Sequence, residues 1–443
     1  MPGKWNSSRR TFLQQVLTGM GAFSIPHVAQ LRAASNSPRA KDTSIILLWQ
    51  DGGPSHFETF DPKPDAPAEI RGDLDPISTK LPGIQFCEVL PQLASLADRF
   101  TIIRSLRQAS SNHVSASHTF VTGYDRTGVI KGPPANPDFS SVISFMRAGQ
   151  NGQIPNYIGL PEQARGGQAY LGPSYGPLRV KGDPSHPNFK ISEFQFPENI
   201  SRGRMLQRSR LLSEVEQVRR SLDSSKQFDS MDHFRQQAYD LVVGKAAEAF
   251  DLSREDPKLR ERYGMHQAGQ QALLARRLVE AGVSVVTVRC HPPGPWHDSW
   301  DDHPCGTHVF GTMRGRGPLF DQAVSALVED LGNRGLDEKV LLVVAGEFGR
   351  TPTIRNFDGV PGRDHWGQAG CALVYGGGMQ MGQVIGATNP KGEHPSERPI
   401  VPQDLLATIY HFLGIDPHHM LSDLEGRPLP ILPHGTTIPE LLG

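Results

Sequence analysis

Acidic and imidazole side chains lie at the ends of four apolar runs in this 443-residue chain. Carboxylate oxygens and imidazole nitrogens together form the kind of cage that holds divalent metal ions. In an open α/β sheet, ligands bind beyond the carboxyl ends of the strands, where such side chains would meet. The pattern therefore predicts a metal site with hydrolytic chemistry. The residues are Asp51 after Ser44–Trp49, Asp301 and His303 after Val283–Val288, Glu347 after Val340–Val344, and Asp364 and His365 before Cys371–Tyr375.

Strand-like and helix-like runs alternate around these side chains. A strand expected over Ile45–Trp49 is followed by one at Phe100–Ile103 and by a helix near His113–Thr122. Further along, a helix over Phe320–Arg334 precedes the strand Val340–Val344. This alternation predicts an α/β fold with a mostly parallel central sheet and helices on both faces.

Residues 202–262 have a different pattern, with charged residues and apolar residues at helical spacing. We interpret this segment as a helical hairpin inserted into the α/β core, where it would cover the core or contact a partner. The surrounding chain is predicted to form one α/β domain over residues 42–430. A C-terminal tail is expected at residues 431–443.

The N-terminus has the features of an export signal. Ser8–Gln14 is a twin-arginine motif, a mildly apolar stretch runs from Val16 to Val28, and Ala33–Ser35 offers a cleavage site. The alternative is a basic amphipathic helix that stays attached. Glycines and a proline interrupt the apolar stretch, so we expect no permanent membrane span. Residues 1–34 are thus predicted to be a twin-arginine signal peptide, and the mature protein is expected to be periplasmic or extracellular.

Charge and cysteine content narrow the classes of partner. Without residues 1–34 the chain loses four cations and no acids, so its formal charge falls from -1 to about -5. A mildly acidic chain lacks the basic surface that nucleic-acid binding requires. The four cysteines contain no CxxC pair, and both buried thiols and disulfides in any of three pairings stay open.

Six motifs together carry a family resemblance: Asp51–His56, Asn112–Gly123, Trp300–His303, Gly346–Pro352, Gly362–Trp366 and Asp404–Tyr410. As a set they resemble the exported bacterial family called domain of unknown function 1501, within the alkaline phosphatase/sulfatase-like superfamily. The resemblance covers roughly residues 42–430 and implies an alkaline-phosphatase-like fold. The family's own substrate is not settled, and a fold alone does not define a reaction.

The resemblance implies metal-binding roles for the first acidic residues. In the superfamily the aspartate after the first strand is a metal ligand, and Asp51 occupies that place; an Asp-Gly turn is the alternative. Asp301 and His303 resemble the pair that the next metal-binding loop supplies. Because Asp302 and two further residues of similar type crowd this stretch, the assignment by residue is open. The two neighbours are His297 and Asp298.

The later motifs match the superfamily less closely. His365 corresponds to the late metal-binding histidine, with Asp364 as a second ligand or orienting group; a histidine that caps a surface loop is the alternative. Glu347 stands where the superfamily has Asp-His, so one nitrogen ligand is lost. This departure favours one ion, or a harder ion such as calcium or manganese, over two zinc ions. Arg350 would grip a sulfate or phosphate oxygen or pair with Glu347.

His113 stands where sulfatases have their reactive cysteine. The helix that it begins can hold an oxyanion at its free amides. Since an imidazole is not a metal-activated alkoxide, we interpret His113 as a metal ligand or acid/base, with the nucleophilic role left open. Ser111 is an adjacent substitute for the nucleophile, or else the N-cap of the helix.

Two functions follow from these residues. We expect a metal-dependent hydrolase that acts on sulfate or phosphate esters of a small molecule or a polysaccharide. The alternative is a catalytically inactive, metal-stabilised envelope protein with the same fold, whose protein partner would bind the hairpin at residues 202–262. His113 in place of Ser, Thr or Cys, and Glu347 in place of Asp-His, favour this alternative.

Overall fold

The computed structural model describes residues 42–125, 135–149, 154–160, 166–189, 191, 207, 246–290, 299–304 and 307–443. The expected signal peptide at residues 1–34 lies outside this range, as does most of the expected hairpin at residues 202–262. The described end of that segment contains the helices Ala246–Ala249 and Pro257–Tyr263. Among the described residues, no helix has both the length and the apolar character that crossing a membrane requires.

An eight-stranded sheet forms the centre of the described part of the protein. Ser44–Trp49 pairs in parallel with Val340–Ala345 on one side and with Val285–Arg289 on the other. Gly370–Gly376 is antiparallel to both of its neighbours, and the remaining pairings are parallel. The prediction of a mostly parallel sheet is therefore confirmed. The strands lie in the order Gln383–Ile385, Thr101–Leu106, Gly370–Gly376, Val340–Ala345, Ser44–Trp49, Val285–Arg289, Tyr157–Leu160 and Leu178–Arg179.

Helices cover both faces of this sheet, as the sequence predicts. Ile45 and Leu47 belong to one hydrophobic cluster, whereas Ile46 and Leu48 belong to the other. Successive strand residues face opposite sides, so a strand buried on both faces is apolar throughout. Each such buried side chain contributes roughly 1.5–3 kcal/mol. One cluster includes the helices His113–Thr122, Phe139–Met146 and Pro402–Phe412, and the other includes Pro91–Ser95, Gln267–Glu280 and Val309–Asn333.

A glycine follows the end of one long helix. The backbone φ of Gly335 is 64°, and the N–H of Leu336 donates to the Leu331 carbonyl at 2.9 Å, which closes the last turn. This helix spans Val309–Asn333 and begins well before the expected start at Phe320. The expectation was wrong because Pro318, which usually marks a helix boundary, lies inside the helix.

Short ribbons and turns surround the sheet. Residues 431–443, expected as a tail, contribute the buried side chains of Ile431, Leu432, Ile438 and Leu441 to the cluster that contains the helix Pro402–Phe412. The remaining helices are Ala68–Arg71 and Pro439–Leu442. The two-stranded ribbons are Pro76–Ser78 with Gln85–Cys87, Gly349–Arg350 with His365–Trp366, Arg355–Phe357 with Val360–Gly362, Ala387–Thr388 with Pro395–Glu397, and Met420–Ser422 with Pro428–Pro430.

Candidate metal centre

The loops that follow three neighbouring strands meet at one edge of the sheet. Ser44–Trp49 ends in register with both Val340–Ala345 and Val285–Arg289, so their carboxyl ends coincide. The backbone at Gly52 has φ 106°, and a Cβ there would lie only 2.6 Å from the backbone nitrogen of Asp301. Glycine is therefore required at this position, because any side chain would separate the two loops.

Asp301 lies at the middle of a group of imidazole and guanidinium side chains. Its Oδ2 atom is 3.2 Å from His113 Nε2 and 3.1 Å from His303 Nε2. Its Oδ1 atom is 3.0 Å from His365 Nε2 and accepts a hydrogen bond from Arg350 Nη2 at 2.6 Å. A single carboxylate thus connects three histidines that come from separate parts of the sequence.

His113 is the first residue of the helix His113–Thr122. Asn112 caps this helix, since its side-chain oxygen accepts hydrogen bonds from the N–H groups of Val114 and Ser115. The imidazole bridges two carboxylates, with Nε2 beside Asp301 and Nδ1 2.6 Å from Glu347 Oε1. A carboxylate at Nδ1 fixes the tautomer that leaves Nε2 available to a metal ion.

Glu347 is buried and only partly satisfied. Its Oε1 atom contacts His113 and also accepts the N–H of Gly52 at 3.0 Å. Its Oε2 atom is buried and has no hydrogen-bond partner among the residues that the structure describes. Buried carboxylate oxygens are nearly always paired, because an unpaired one carries its full desolvation cost. This edge of the sheet therefore contains a buried carboxylate oxygen without a described hydrogen-bond donor.

A two-stranded ribbon and one aromatic ring position His365. The ribbon pairs His365 with Arg350, which places the histidine opposite the residue that binds Asp301. The Phe348 ring lies 5.1 Å from the His365 ring and 5.0 Å from the His113 ring, measured between centroids. The centroids of the two imidazoles are 4.2 Å apart, and their ring planes make an angle of 69°. Packing against Phe348 therefore restricts the rotamers of both histidines.

Three ligand atoms, one each from His113, Asp301 and His365, lie within 4.8 Å of one another. Two nitrogens and one oxygen from a helix, a loop and a ribbon match the donor set of a divalent metal ion. The buried oxygen of Glu347 without a described partner adds an independent reason for a cation here. The residues present therefore fit a metal ion, whose identity the donor set leaves between several first-row metals.

The pKa values of this cluster reflect its charge balance. Burial opposes protonation of His113, but hydrogen bonds to Asp301 and Glu347 outweigh burial and raise the pKa of His113 to about 9. Burial also disfavours the charge on Asp301, yet hydrogen bonds from His113 and His365, together with Arg350, hold its pKa well below the usual range. Without a metal ion, the imidazolium of His113 thus supplies positive charge between the two carboxylates.

Arg350 is fully buried and holds three loops together. Its guanidinium donates to the carbonyls of Gly53 at 2.7 Å, Arg363 at 3.1 Å and Trp300 at 3.2 Å, besides Asp301. The carboxylate partner is therefore Asp301, and the ion pair with Glu347 considered from the sequence is wrong. Because the guanidinium is enclosed by these acceptors, Arg350 positions Asp301 in this structure. Its contact with a substrate oxygen stays a prediction.

Two other predicted ligands have different partners. Asp51 Oδ2 pairs with Arg289 Nη2 at 3.0 Å, and its Oδ1 accepts from Trp49 Nε1 at 3.4 Å. Asp364 Oδ2 accepts from Arg355 Nη1 at 2.9 Å, on a more exposed part of the ribbon region. Neither carboxylate belongs to the three-residue cluster. Metal binding by Asp51 or Asp364 stays a prediction that would require these ion pairs to break.

The neighbouring serine and aspartate have structural contacts. Ser111 Oγ accepts the N–H of Gly367 at 2.8 Å, which joins the start of the helix to the ribbon loop. The N-cap role considered for Ser111 belongs instead to Asn112. Asp302 pairs with the buried Arg316, so Asp301 is the residue of this stretch that faces the histidines. His297 and Asp298 lie outside the described residues.

Sequence reasoning missed the residues that support the cluster. The Gly52 amide binds Glu347, Phe348 packs on two histidines, and Arg289 neutralises Asp51. Arg289 had a detectable signal, because it is a cation at the end of a strand whose neighbours end in acids. A backbone amide and a packing ring have no comparable signal, since their roles depend on which loops meet.

The chain is similar to one protein family and to several solved structures. The family described as protein of unknown function (DUF1501) matches residues 42–442. No curated protein matches the chain. Among solved structures, it is similar to Ps i-CgsB at 12% identity and TM-score 0.41, over 85% of this chain and 72% of that chain. It is similar to the PsFucS1 sulfatase from Pseudoalteromonas sp. at 12% identity and TM-score 0.36, over 88% and 71% of the two chains. For the phosphonate monoester hydrolase SpPMH from Silicibacter pomeroyi, the identity is 14%, the TM-score 0.36 and the coverage 88% and 76%.

Proposed function

The chain belongs to the DUF1501 family, and we propose that it is an exported, metal-dependent hydrolase of sulfate or phosphate esters. The observation that carries this proposal is the cluster of His113, Asp301 and His365, whose ligand atoms lie within 4.8 Å of one another. The partly satisfied Glu347 beside it supports a cation at the same place. The twin-arginine motif at residues 8–14 supports export.

Each residue of the cluster has a distinct task in this proposal. Asp301 and the Nε2 atoms of His113 and His365 would hold the ion, with His303 as a further imidazole beside Asp301. Glu347 would orient His113 through Nδ1, since a carboxylate at the outer nitrogen fixes the ring. When bound, a divalent ion polarises an ester oxygen and lowers the pKa of water near it.

The donor set bears on the choice of ion. Zinc and manganese accept imidazole nitrogen readily, whereas calcium prefers six to eight oxygen ligands. Three histidines surround Asp301, which makes zinc or manganese a better match than calcium. Of the three ions considered from the sequence, calcium is therefore the weakest proposal.

A second candidate is a metal-stabilised binding protein of the envelope. It is favoured by the contacts of the two residues that would replace the usual nucleophile. Both ring nitrogens of His113 contact carboxylates, and Ser111 Oγ is hydrogen bonded to the Gly367 amide. Among the described residues, the hydrogen-bond partners of the His113 ring are both carboxylates, with no hydroxyl or thiol.

Metal analysis combined with ester assays separates the two candidates. Full-length protein purified without chelator should contain about one metal ion per chain and should hydrolyse 4-nitrophenyl sulfate or 4-nitrophenyl phosphate. His365→Gln should lose both metal and turnover while its circular dichroism spectrum is unchanged. Bound metal without turnover across sulfate, phosphate and phosphonate esters would favour the binding protein. Protein that binds no metal would refute both candidates.

A further inference from the structure

A cavity of about 430 Å³ is lined in part by the ribbon that contains His365. Its volume falls within the range of small-molecule sites, roughly 300–1,000 Å³. Trp366 lines it and directly follows His365 in the ribbon. The other polar residues of its lining are Arg107, Gln368, Glu393 and His394.

The wall of this cavity is held in place by several hydrogen bonds. Trp366 Nε1 donates to the carbonyl of Glu393 at 2.6 Å, which fixes the indole. The Asn389 side chain accepts the Glu393 N–H and donates to Glu393 Oε2, both at 2.7 Å. The buried His56 donates from Nε2 to the Gly392 carbonyl at 3.0 Å. Because these hydrogen bonds already fix the wall, its side chains lose little conformational entropy when a ligand binds.

The lining combines one aromatic face with groups that need polar partners. Arg107 is exposed, and its guanidinium has no partner among the residues that the structure describes. Gln368, Glu393 and His394 add an amide, a carboxylate and an imidazole. A purely apolar ligand would desolvate these groups without replacing their hydrogen bonds. A ring with hydroxyl groups would supply those bonds, while its C–H face packs on the Trp366 indole.

Arg107 adds a preference for negative charge. A guanidinium binds sulfate, phosphate or carboxylate through two parallel N–H groups. Trp366 of the cavity directly follows His365 of the centre proposed to act on an ester, so one ligand that contacts both residues would extend from the cavity to the centre. Such a ligand is longer than a single ring. A free monosaccharide ester would occupy either the cavity or the metal centre, but not both.

We infer that this cavity binds a sugar unit of an anionic oligosaccharide, next to the unit whose ester reaches the metal centre. Trp366 supplies the stacking face, and Arg107 binds the negative charge of the sugar. This inference rests on the proposed function and names its substrate class. The metal ligands do not line the cavity, so binding there is measurable when the centre holds no ion.

Calorimetric titration of the chelator-treated, full-length protein tests the inference. The probes are dextran sulfate, chondroitin sulfate and heparin oligosaccharides, with neutral dextran of equal length for comparison. Trp366→Ala should raise the Kd of the sulfated oligosaccharide that binds best about tenfold, which equals about 1.4 kcal/mol. Trp366→Phe retains an aromatic face and should keep most of the affinity, which separates stacking from a folding defect.

Charge is tested with two exposed arginines at opposite ends of one strand. Arg107→Gln should weaken binding of the sulfated oligosaccharide at least fivefold and leave neutral dextran unchanged. Arg99→Gln is the matched control, since Arg99 precedes the strand Thr101–Leu106 and Arg107 follows it. Arg99→Gln should bind like the wild type.

The inference fails if no sulfated oligosaccharide binds, or if Trp366→Ala and Arg107→Gln bind as tightly as the wild type. The proposed function can fail separately. If oligosaccharides bind with the expected variant effects but no ester is hydrolysed with metal present, the cavity assignment stands and the hydrolase proposal does not. If aryl esters are hydrolysed and no oligosaccharide binds, the reverse holds.

Discussion

Replacing Asp301 with asparagine should destabilise the metal-free protein by about 2 kcal/mol. Asp301 is the carboxylate partner of Arg350, whose side chain is fully buried. Breaking a buried ion pair costs about 3–5 kcal/mol because an unpaired charge remains. Here the Asp301 side chain is 24% exposed, and asparagine keeps one oxygen acceptor, so we expect a cost below that range, about 2 kcal/mol. Urea unfolding of chelator-treated wild type and Asp301→Asn measures this difference.

The same variant should lose its response to metal. A ligand present at one hundred times its Kd stabilises the folded protein by about 2.7 kcal/mol. Wild-type protein should therefore gain this stability when zinc or manganese is added, whereas Asp301→Asn should gain almost none. The assay is the urea midpoint with and without metal. A matched control is Asp98→Asn, because Asp98 pairs with Lys80 on the surface.

A second aspartate makes the outcome decisive. Asp364 binds Arg355 and lies outside the three-residue cluster. If Asp301→Asn responds to metal like the wild type while Asp364→Asn does not, the ion binds elsewhere and the assignment of Asp301 is refuted. An unchanged urea midpoint in metal-free Asp301→Asn would contradict the argument from the buried Arg350.

Acid should destabilise the protein through His56, whose folded pKa burial lowers to about 4 from 6.5. The contribution of this neutral imidazole to the free energy of unfolding is complete above pH 6.5 and is lost as pH falls toward 4, by up to about 3 kcal/mol. The urea midpoints of wild type and His56→Gln should therefore diverge between pH 6.5 and 4. Midpoints that change in parallel would contradict the expectation. Gly52→Ala should cost about 2–3 kcal/mol, because the left-handed φ and the approach to Asp301 both oppose a side chain. Gly83→Ala is its control in urea unfolding, since nothing lies within 4 Å of the added Cβ. Zinc should bind at least tenfold more tightly than calcium in calorimetric titration, because the cluster offers imidazole nitrogens; equal affinities would contradict the assigned donor set.

The sequence predicted the sheet well because burial on both faces requires continuous apolar runs. Ser44–Trp49 and Val340–Ala345 are aliphatic enough that no other element competes. The position of Asp301 followed from the same reasoning, since parallel strands end at a common edge. His365 reaches that edge because the strand after it, Gly370–Gly376, is antiparallel to both of its neighbours. Hence the edge of the sheet that holds the candidate centre was predictable from the sequence. The pairing of its charged side chains was not.

The partners of individual side chains were not predictable. Asp51 and Asp364 have the same local signals as Asp301, yet each pairs with an arginine outside the three-residue cluster. Which carboxylate faces the histidines depends on the direction of loop backbones that meet only after folding. The burial of Arg350 is of the same kind, because its acceptors come from three loops distant in sequence.

The three residues of the cluster are separated by 188 and 64 positions along the chain, and Arg350 ties their loops together from the inside. During synthesis, His365 is the last of the three residues to leave the ribosome, so an ion could contact at most two of them before that. The three-residue cluster is therefore completed only after most of the chain has been synthesised. Binding of an ion by all three residues would then report that translation has passed His365 and that their loops have met.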